Sequence, residues 1–425
     1  MNASVFRAFA RRHSRTLSIS SSVGLPSIVA PLALGLLVLL ASSPVPGADE
    51  TESGGSAAAG TIERGELEKA VAEGVKILLE CQESSRAGGD KREWPYEGVY
   101  RPRGAIPIGY RVGGTAVCAW ALIEAPGWEA DAARRKAVDQ ALGFILENLD
   151  HPLMAPLFAG SYDVRGWGHA YALTFLLRLK KLGRVPAAQA KAVDEGIERL
   201  VDALEKTQIP RSGGWNYSRP GGFLRPSSPS TFMTASTLQA FFAARAQGVA
   251  VRQDVVDRAL RSMEAARLRS GAFQYSSSPR RQTGRGFEAV PGAVGRMPIC
   301  EVTLELAGRG DTGRIHKAVD AFFEHWEWLE KRRKKTGTHV PPYMIAPYYF
   351  FYAHYYAAQA IELLPEKVRP AYRQKLYRLL WKVREPDRSW NDRVFPRSRN
   401  FGTAMSILAI LEPHVSRPAR WQRKN

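Results

Sequence analysis

The chain has 425 residues, 45% of them hydrophobic, and its 60 Lys and Arg against 41 Asp and Glu give a formal charge of +19. Cys81, Cys118 and Cys300 are too few and too scattered for a disulfide-built scaffold, so burial as small apolar groups is the default for each. The basic excess serves solubility and attracts anionic lipid headgroups, acidic polysaccharide or a phosphate-bearing ligand; in an exported chain it does not point to nucleic acid.

Arg7, Arg11, Arg12 and Arg15 precede an uncharged apolar run from Ile28 to Ser42, the pattern of a secretory signal. The run is shorter than the roughly 20 residues that span a bilayer. Two outcomes stay open, cleavage near residue 47 or 48 and retention as an N-terminal anchor. Both place the protein outside the cytoplasm, in the periplasm or cell envelope. Asp49 to Gly60 holds no large apolar side chain and reads as a flexible spacer. The chain therefore divides into a leader (1–48), a linker (49–64), a folded repeat domain (65–417) and a basic tail (418–425).

Within the folded part, an amphipathic stretch, a turn-rich loop carrying aromatic residues and a second, more apolar stretch recur six times. The first unit runs Glu66 to Gln82, Trp94 and Tyr96, then Gly113 to Glu124. The second runs Ala133 to Leu149, Tyr162 and Trp167, then His169 to Leu179. Ala190 to Thr207 leads through S-G-G-W-N-Y at Ser212–Tyr217 to a helix from Thr231. There Gly213 and Gly214 permit a tight turn, and Ser230 or Thr231 offers an N-cap oxygen. Asp254 to Ala266, Phe273 and Tyr275, and Val294 to Leu306 form the fourth unit. Arg314 to Glu330, Tyr343, and Tyr348 to Leu364 form the fifth; Val368 to Val383, Trp390, and Phe401 to Leu411 form the last. Equivalent points recur every 54 to 63 residues or so. The first helix of each pair carries charge, as in Glu66, Glu68 and Lys69, whereas the second is nearly all small or apolar. Charged helices face water and apolar ones are buried. Six such hairpins close most economically into a ring.

G-G-W-N-Y (213–217), G-A-F-Q-Y (271–275), Tyr348 to Gln359 and R-S-W-N-D (388–392) carry a likeness: the chain resembles the squalene-cyclase and protein-prenyltransferase repeat family from about Glu66 to Pro413. The resemblance implies an all-α (α/α)6 toroid, with inner and outer rings of six helices around a central cavity. It also implies an Asp-x-Asp-Asp acid for cyclisation, and this chain has none; the closest aspartates are Asp254 and Asp257. For the zinc of prenyltransferases, Cys300 and His354 match two of three ligands, but Pro298 stands where the aspartate belongs. His354 also lies roughly opposite the helix face formed by Tyr348, Tyr352, Tyr355 and Gln359. Neither a metal nor another cofactor is expected.

The aromatic residues are the fuller clue. Trp167 and Tyr171 share a face, and Trp215, Tyr217, Tyr275, Tyr348, Tyr352 and Trp390 precede or line other inner helices, so they read as a ligand wall for an isoprenoid, a lipid or a saccharide. Plugging gaps between helices is the competing role. His169 in G-W-G-H-A-Y, Asp163 and Glu301 are the candidate acids and bases, with Asp392 beside them. In a ring of parallel inner helices the N-termini gather at one end, where Arg165, Arg219, Arg225 and Arg296 lead and where an anionic ligand group is favoured. The basic run Lys331 to Lys335 is expected to face solvent or a membrane surface. Two classes of function follow. One is a ligand-binding module without the standard cyclase activity. The other is an enzyme, cyclase- or transferase-like or a polysaccharide lyase or hydrolase, that uses His169, Asp163 or Glu301.

Overall fold

The computed structural model describes residues 60–84, 88–101, 104–156, 163–217, 227–276 and 283–422. The expected leader, most of the linker, Tyr162, Arg219, Arg225 and the last three residues of the tail lie outside them. Among the described residues no helix is long and apolar enough to cross a membrane.

Six outer–inner hairpins follow in order. They are α1 (Arg64–Cys81) with α2 (Ile108–Glu124), α3 (Ala132–Asn148) with α4 (Arg165–Lys181), and α5 (Ala190–Lys206) with α6 (Thr231–Ala246). Next comes α7 (Gln253–Ala265), joined through the single turn α8 (Val290–Ala293) to α9 (Met297–Leu306). Then α10 (Thr312–Glu324), continued by α11 (Trp326–Glu330), pairs with α12 (Phe350–Ile361), and α13 (Arg369–Lys382) with α14 (Ser398–Leu411). The first connection also carries a short antiparallel ribbon, β1 (Glu83–Ser84) against β2 (Lys91–Glu93).

The division into dry and wet helices follows the sequence. Arg111 alone interrupts the buried run of α2 from Ile108 to Ile123, and every residue of α12 is buried. In α5, by contrast, Val193, Ile197, Leu200, Val201 and Leu204 form one stripe at helical spacing while the charged residues face out. Gly213 and Gly214 take the left-handed backbone the turn needs, with φ of 74° and 70°. The capping expectation is corrected: neither Ser230 nor Thr231 caps α6 through its side chain, and the Thr231 hydroxyl donates instead to the Gln274 carbonyl of the next repeat at 2.9 Å.

Each inner helix packs on the next, α2 on α4, α4 on α6, α6 on α9, α9 on α12, α12 on α14, and α14 returns to α2. The ring is therefore closed. The outer helix α1 seals the seam by packing on α14 as well as on α2. Polar contacts fasten it: Gln374 exchanges two hydrogen bonds with the Ile62 backbone, Arg384 pairs with Glu73 at 2.7 Å and Arg397 with Glu83 at 2.8 Å.

Candidate functional site

The loop aromatics divide into two sets with different tasks. Trp94, Trp215 and Trp390 are fully buried clasps between the helices of their own hairpins. Their indole N–H groups donate to Leu78, Leu204 and Leu380 carbonyls in the last turns of α1, α5 and α13, at 2.6, 2.8 and 2.9 Å. Their backbone N–H groups donate to the hydroxyls of Thr115, Thr234 and Thr403 on the following inner helices, at 2.9, 3.1 and 3.1 Å. One terminal helix carbonyl and one loop amide in each unit thus find partners that water cannot supply. Beside two of the threonines, Gly114 and Gly402 let the loop pass; a Cβ there would stand 2.5 Å from the Trp94 carbonyl oxygen and 2.4 Å from that of Trp390. Trp215 and Trp390 lie between layers and do not reach the hollow.

The second set does. At the N-terminal end of the inner helices, a well of about 70 Å³ has fifteen lining residues, ten of them aromatic, and none of them an acid, lysine, arginine or histidine. Trp167, Tyr171, Tyr217, Tyr348 and Tyr352 line it, together with rings the sequence reading did not assign there, such as Tyr110, Phe232 and Phe401. Trp167 stands edge-on to Tyr171 at 4.9 Å, and Phe232 stacks on Tyr349 at 4.4 Å. Burial pushes the Tyr171, Tyr349 and Tyr352 phenols well above their ordinary range, so they stay neutral. Tyr275 sits just behind the wall, stacked on Phe287 at 4.8 Å.

A layer of tyrosines closes the floor. Tyr352 packs on Tyr356 at 4.6 Å, and beyond that layer lies a second cavity of about 220 Å³ at the C-terminal end of the inner helices. Here Arg178 of α4 grips Glu124 of α2 at 2.5 Å, and Trp120 donates its indole N–H to the same carboxylate at 3.2 Å. Arg178 and Lys181 also donate to the Ser416 hydroxyl, at 3.1 and 2.7 Å, tying the C-terminal segment Val415–Ala419 down as one wall. The segment is held further on by Trp421, whose ring packs on Phe242 at 5.5 Å and whose backbone N–H donates to Leu306. Glu412, just past α14, also lines the cavity; burial pushes its carboxyl well above the ordinary range, with Arg178 opposing. Sequence reasoning missed this end. Two signals pointed here: Tyr355 and Gln359 share the helix face of Tyr348 and Tyr352, and Glu124 and Glu412 place acidic side chains at inner-helix C-termini, against the macrodipole.

The expected acids and bases line neither cavity. Asp163 pairs with Arg165 at 2.8 Å, Arg165 also donates to the Ala155 carbonyl, and the His169 Nε2–H donates to the Met154 carbonyl at 2.9 Å. These contacts tie down the chain entering α4. Glu301 faces the outer layer and pairs with Arg267 at 2.6 Å; burial raises its pKa while Arg267 opposes. Asp392 is fully buried behind the rim, its carboxylate oxygens without a hydrogen bond among the described residues, and burial pushes its pKa up to about 7. Of the arginines expected to greet an anion, Arg296 is sealed inside, donating to the Phe273, Gly292 and Phe287 carbonyls, and burial lowers its pKa to about 10. In the basic run, Arg333 and Lys334 both pair with Glu385 and Arg332 holds three backbone carbonyls.

His354 lies away from the hollow, as its helical position requires. Its Nε2 accepts the Trp326 indole N–H at 2.8 Å and its Nδ1–H donates to the Phe350 carbonyl at 2.7 Å. Cys300 is fully buried against the Thr231 carbonyl. Both nitrogens of the histidine are thus occupied, and no group of three or more metal-ligating side chains occurs among the described residues.

Matched against known proteins, the chain fits no protein-family profile and no curated protein. Solved structures do align with it. The Lin0763 protein from Listeria innocua superimposes with a TM-score of 0.52 at 11% identity, covering 82% of this chain and 98% of that one. A D-mannose isomerase superimposes with a TM-score of 0.50 at 13% identity, over 83% and 98%. A type II terpene cyclase from Scytonema, in complex with geranylgeranyl dihydroxybenzoate, aligns over 82% and 98% at 14% identity and a TM-score of 0.47. The closed ring and the first two superpositions define an all-α protein of the (α/α)6 toroid class. This chain is a six-hairpin toroid of the architecture that the repeat resemblance implied.

Proposed function

We propose that the toroid binds the end of an isoprenoid or other lipid chain in the aromatic well. The observation that carries this reading is the well's composition: ten rings around an axial opening with no charged side chain in its lining. Apolar walls of this kind take up apolar surface and offer nothing to protonate it. At about 70 Å³ the well holds a chain terminus, and the remainder of the ligand continues through the mouth. Binding without the standard cyclase chemistry accords with the missing Asp-x-Asp-Asp segment. The enzymatic alternative calls on His169, Asp163 or Glu301, whose side chains are already committed to structural contacts.

The reading includes export to the cell envelope, on the strength of the arginine-rich leader with its apolar run, and contact with a membrane surface as the source of the ligand. Titration with solubilised farnesol, read by tryptophan fluorescence, tests the binding. The expected result is a saturable change in the wild type that Trp167→Ala removes; an identical response in both proteins would refute the site. Cell fractionation and the intact mass of the mature chain test export and cleavage near residue 47 or 48.

A further inference from the structure

The cavity at the other end of the axis has no part in that reading. It is about three times the volume of the well, and at roughly 30 Å³ per water its 220 Å³ holds about seven water volumes, the scale of one small polyhydroxy ring. Its lining mixes aromatic faces, Trp120, Tyr355 and Tyr356, with donors and acceptors on several helices. Gln239 of α6 reaches Gln359 of α12 at 2.9 Å, and the Glu124–Arg178 pair completes the polar side.

Glu412 is the group that demands an explanation. Its residue is 5% exposed, its carboxyl faces the cavity, and it makes neither a hydrogen bond nor an ion pair with any described residue. A buried carboxyl without a partner destabilises a fold and is kept where something else supplies the partner. Burial favours its neutral form, against the nearby charge of Arg178, and a neutral carboxyl both donates and accepts. An anion is a poor occupant, because the C-termini of five inner helices, α2, α4, α6, α12 and α14, converge here with partial negative charge, because Arg178 and Lys181 are already spent on Glu124 and Ser416, and because Arg417, the remaining cation of the lining, is exposed to solvent. A cation meets Glu124, already neutralised by Arg178, and has to ionise Glu412 against its burial.

We infer that this cavity is a binding site for a neutral monosaccharide, its ring against Trp120 and Tyr355 and its hydroxyls hydrogen-bonded by Glu412 and Gln359. The site is separate from the aromatic well and stands whether or not the well takes a lipid.

Isothermal titration calorimetry of the purified protein with D-glucose, D-mannose and D-galactose provides the test. At least one hexose is expected to bind saturably. Glu412→Leu is expected to weaken it by about tenfold or more, whereas Glu412→Gln, which keeps a neutral donor and acceptor, stays within about threefold of wild type. Because Leu removes a buried, unpartnered acid, the Tm of Glu412→Leu should not fall, which separates a lost site from a lost fold. If that variant nonetheless fails to fold, Gln359→Leu carries the same readout. A saturating hexose should leave the farnesol response of Trp167 in place. Absence of binding by all three hexoses, wild-type affinity in Glu412→Leu, or displacement of farnesol by the sugar overturns the proposal.

Discussion

Trp390→Phe removes one indole N–H and leaves an aromatic ring in its place. That N–H donates to the Leu380 carbonyl at 2.9 Å, in the last turn of α13, and both residues are sealed from water. A buried carbonyl that loses its partner costs about 1–3 kcal/mol, and the methyl-sized void left by the smaller ring costs about 1 kcal/mol more. The expected loss is roughly 2–4 kcal/mol. Trp167→Phe makes the same chemical change in the half-buried wall of the well, where no such bond is broken, and should cost less than about 1.5 kcal/mol. Urea denaturation followed by far-UV circular dichroism compares the two midpoints at a common slope. Equal midpoints for the two variants would refute the division of the tryptophans into clasps and wall.

Asp392 carries a pH prediction. Its folded pKa of about 7 lies above its unfolded value, so the folded state holds a proton that the unfolded state releases, and stability is lost as pH rises from about 4 to about 7. Asp392→Asn removes that term, so its advantage over wild type should grow across this window by on the order of 4 kcal/mol and level off above it; a constant difference, measured by denaturation at several pH values, counts against it. Glu301→Ala strands Arg267 at a 17%-exposed site and should cost roughly 1–3 kcal/mol of stability while leaving farnesol binding unchanged; loss of binding at unchanged Tm would return Glu301 to the functional site. Dialysis against EDTA should leave Tm unmoved, since both His354 nitrogens are hydrogen-bonded inside the protein. A fall in Tm reversed by zinc would show a metal site.

The fold was legible because alternating wet and dry helices leave few ways to bury the dry ones, and the spacing of about 54 to 63 residues repeats that alternation six times. The functional surface was less legible. Trp167 and Trp215 look alike in a linear sequence, since each follows a glycine and precedes an inner helix. What separates them is a threonine on the next helix, at 234 for Trp215, that accepts the loop amide. Charge alone misled at the rim, where Arg296 is held by carbonyls that no local pattern announces. Within the basic tail expected from residue 418 onward, Trp421 packs on Phe242. Glu412 was hidden for the opposite reason: an acid after an apolar helix reads as a solvated end until the tertiary structure folds a segment over it.

Because α1 rests on α14, the first and last hairpins of the described residues pack as neighbours, as the other hairpins do. A permuted gene that starts at any outer helix should yield the same body. A chain halted one hairpin early leaves α1 and α12 with bare apolar flanks facing each other, a partial crescent prone to pairing with a second copy. Closure of the ring, rather than any single contact, is thus the step that covers the last apolar flanks.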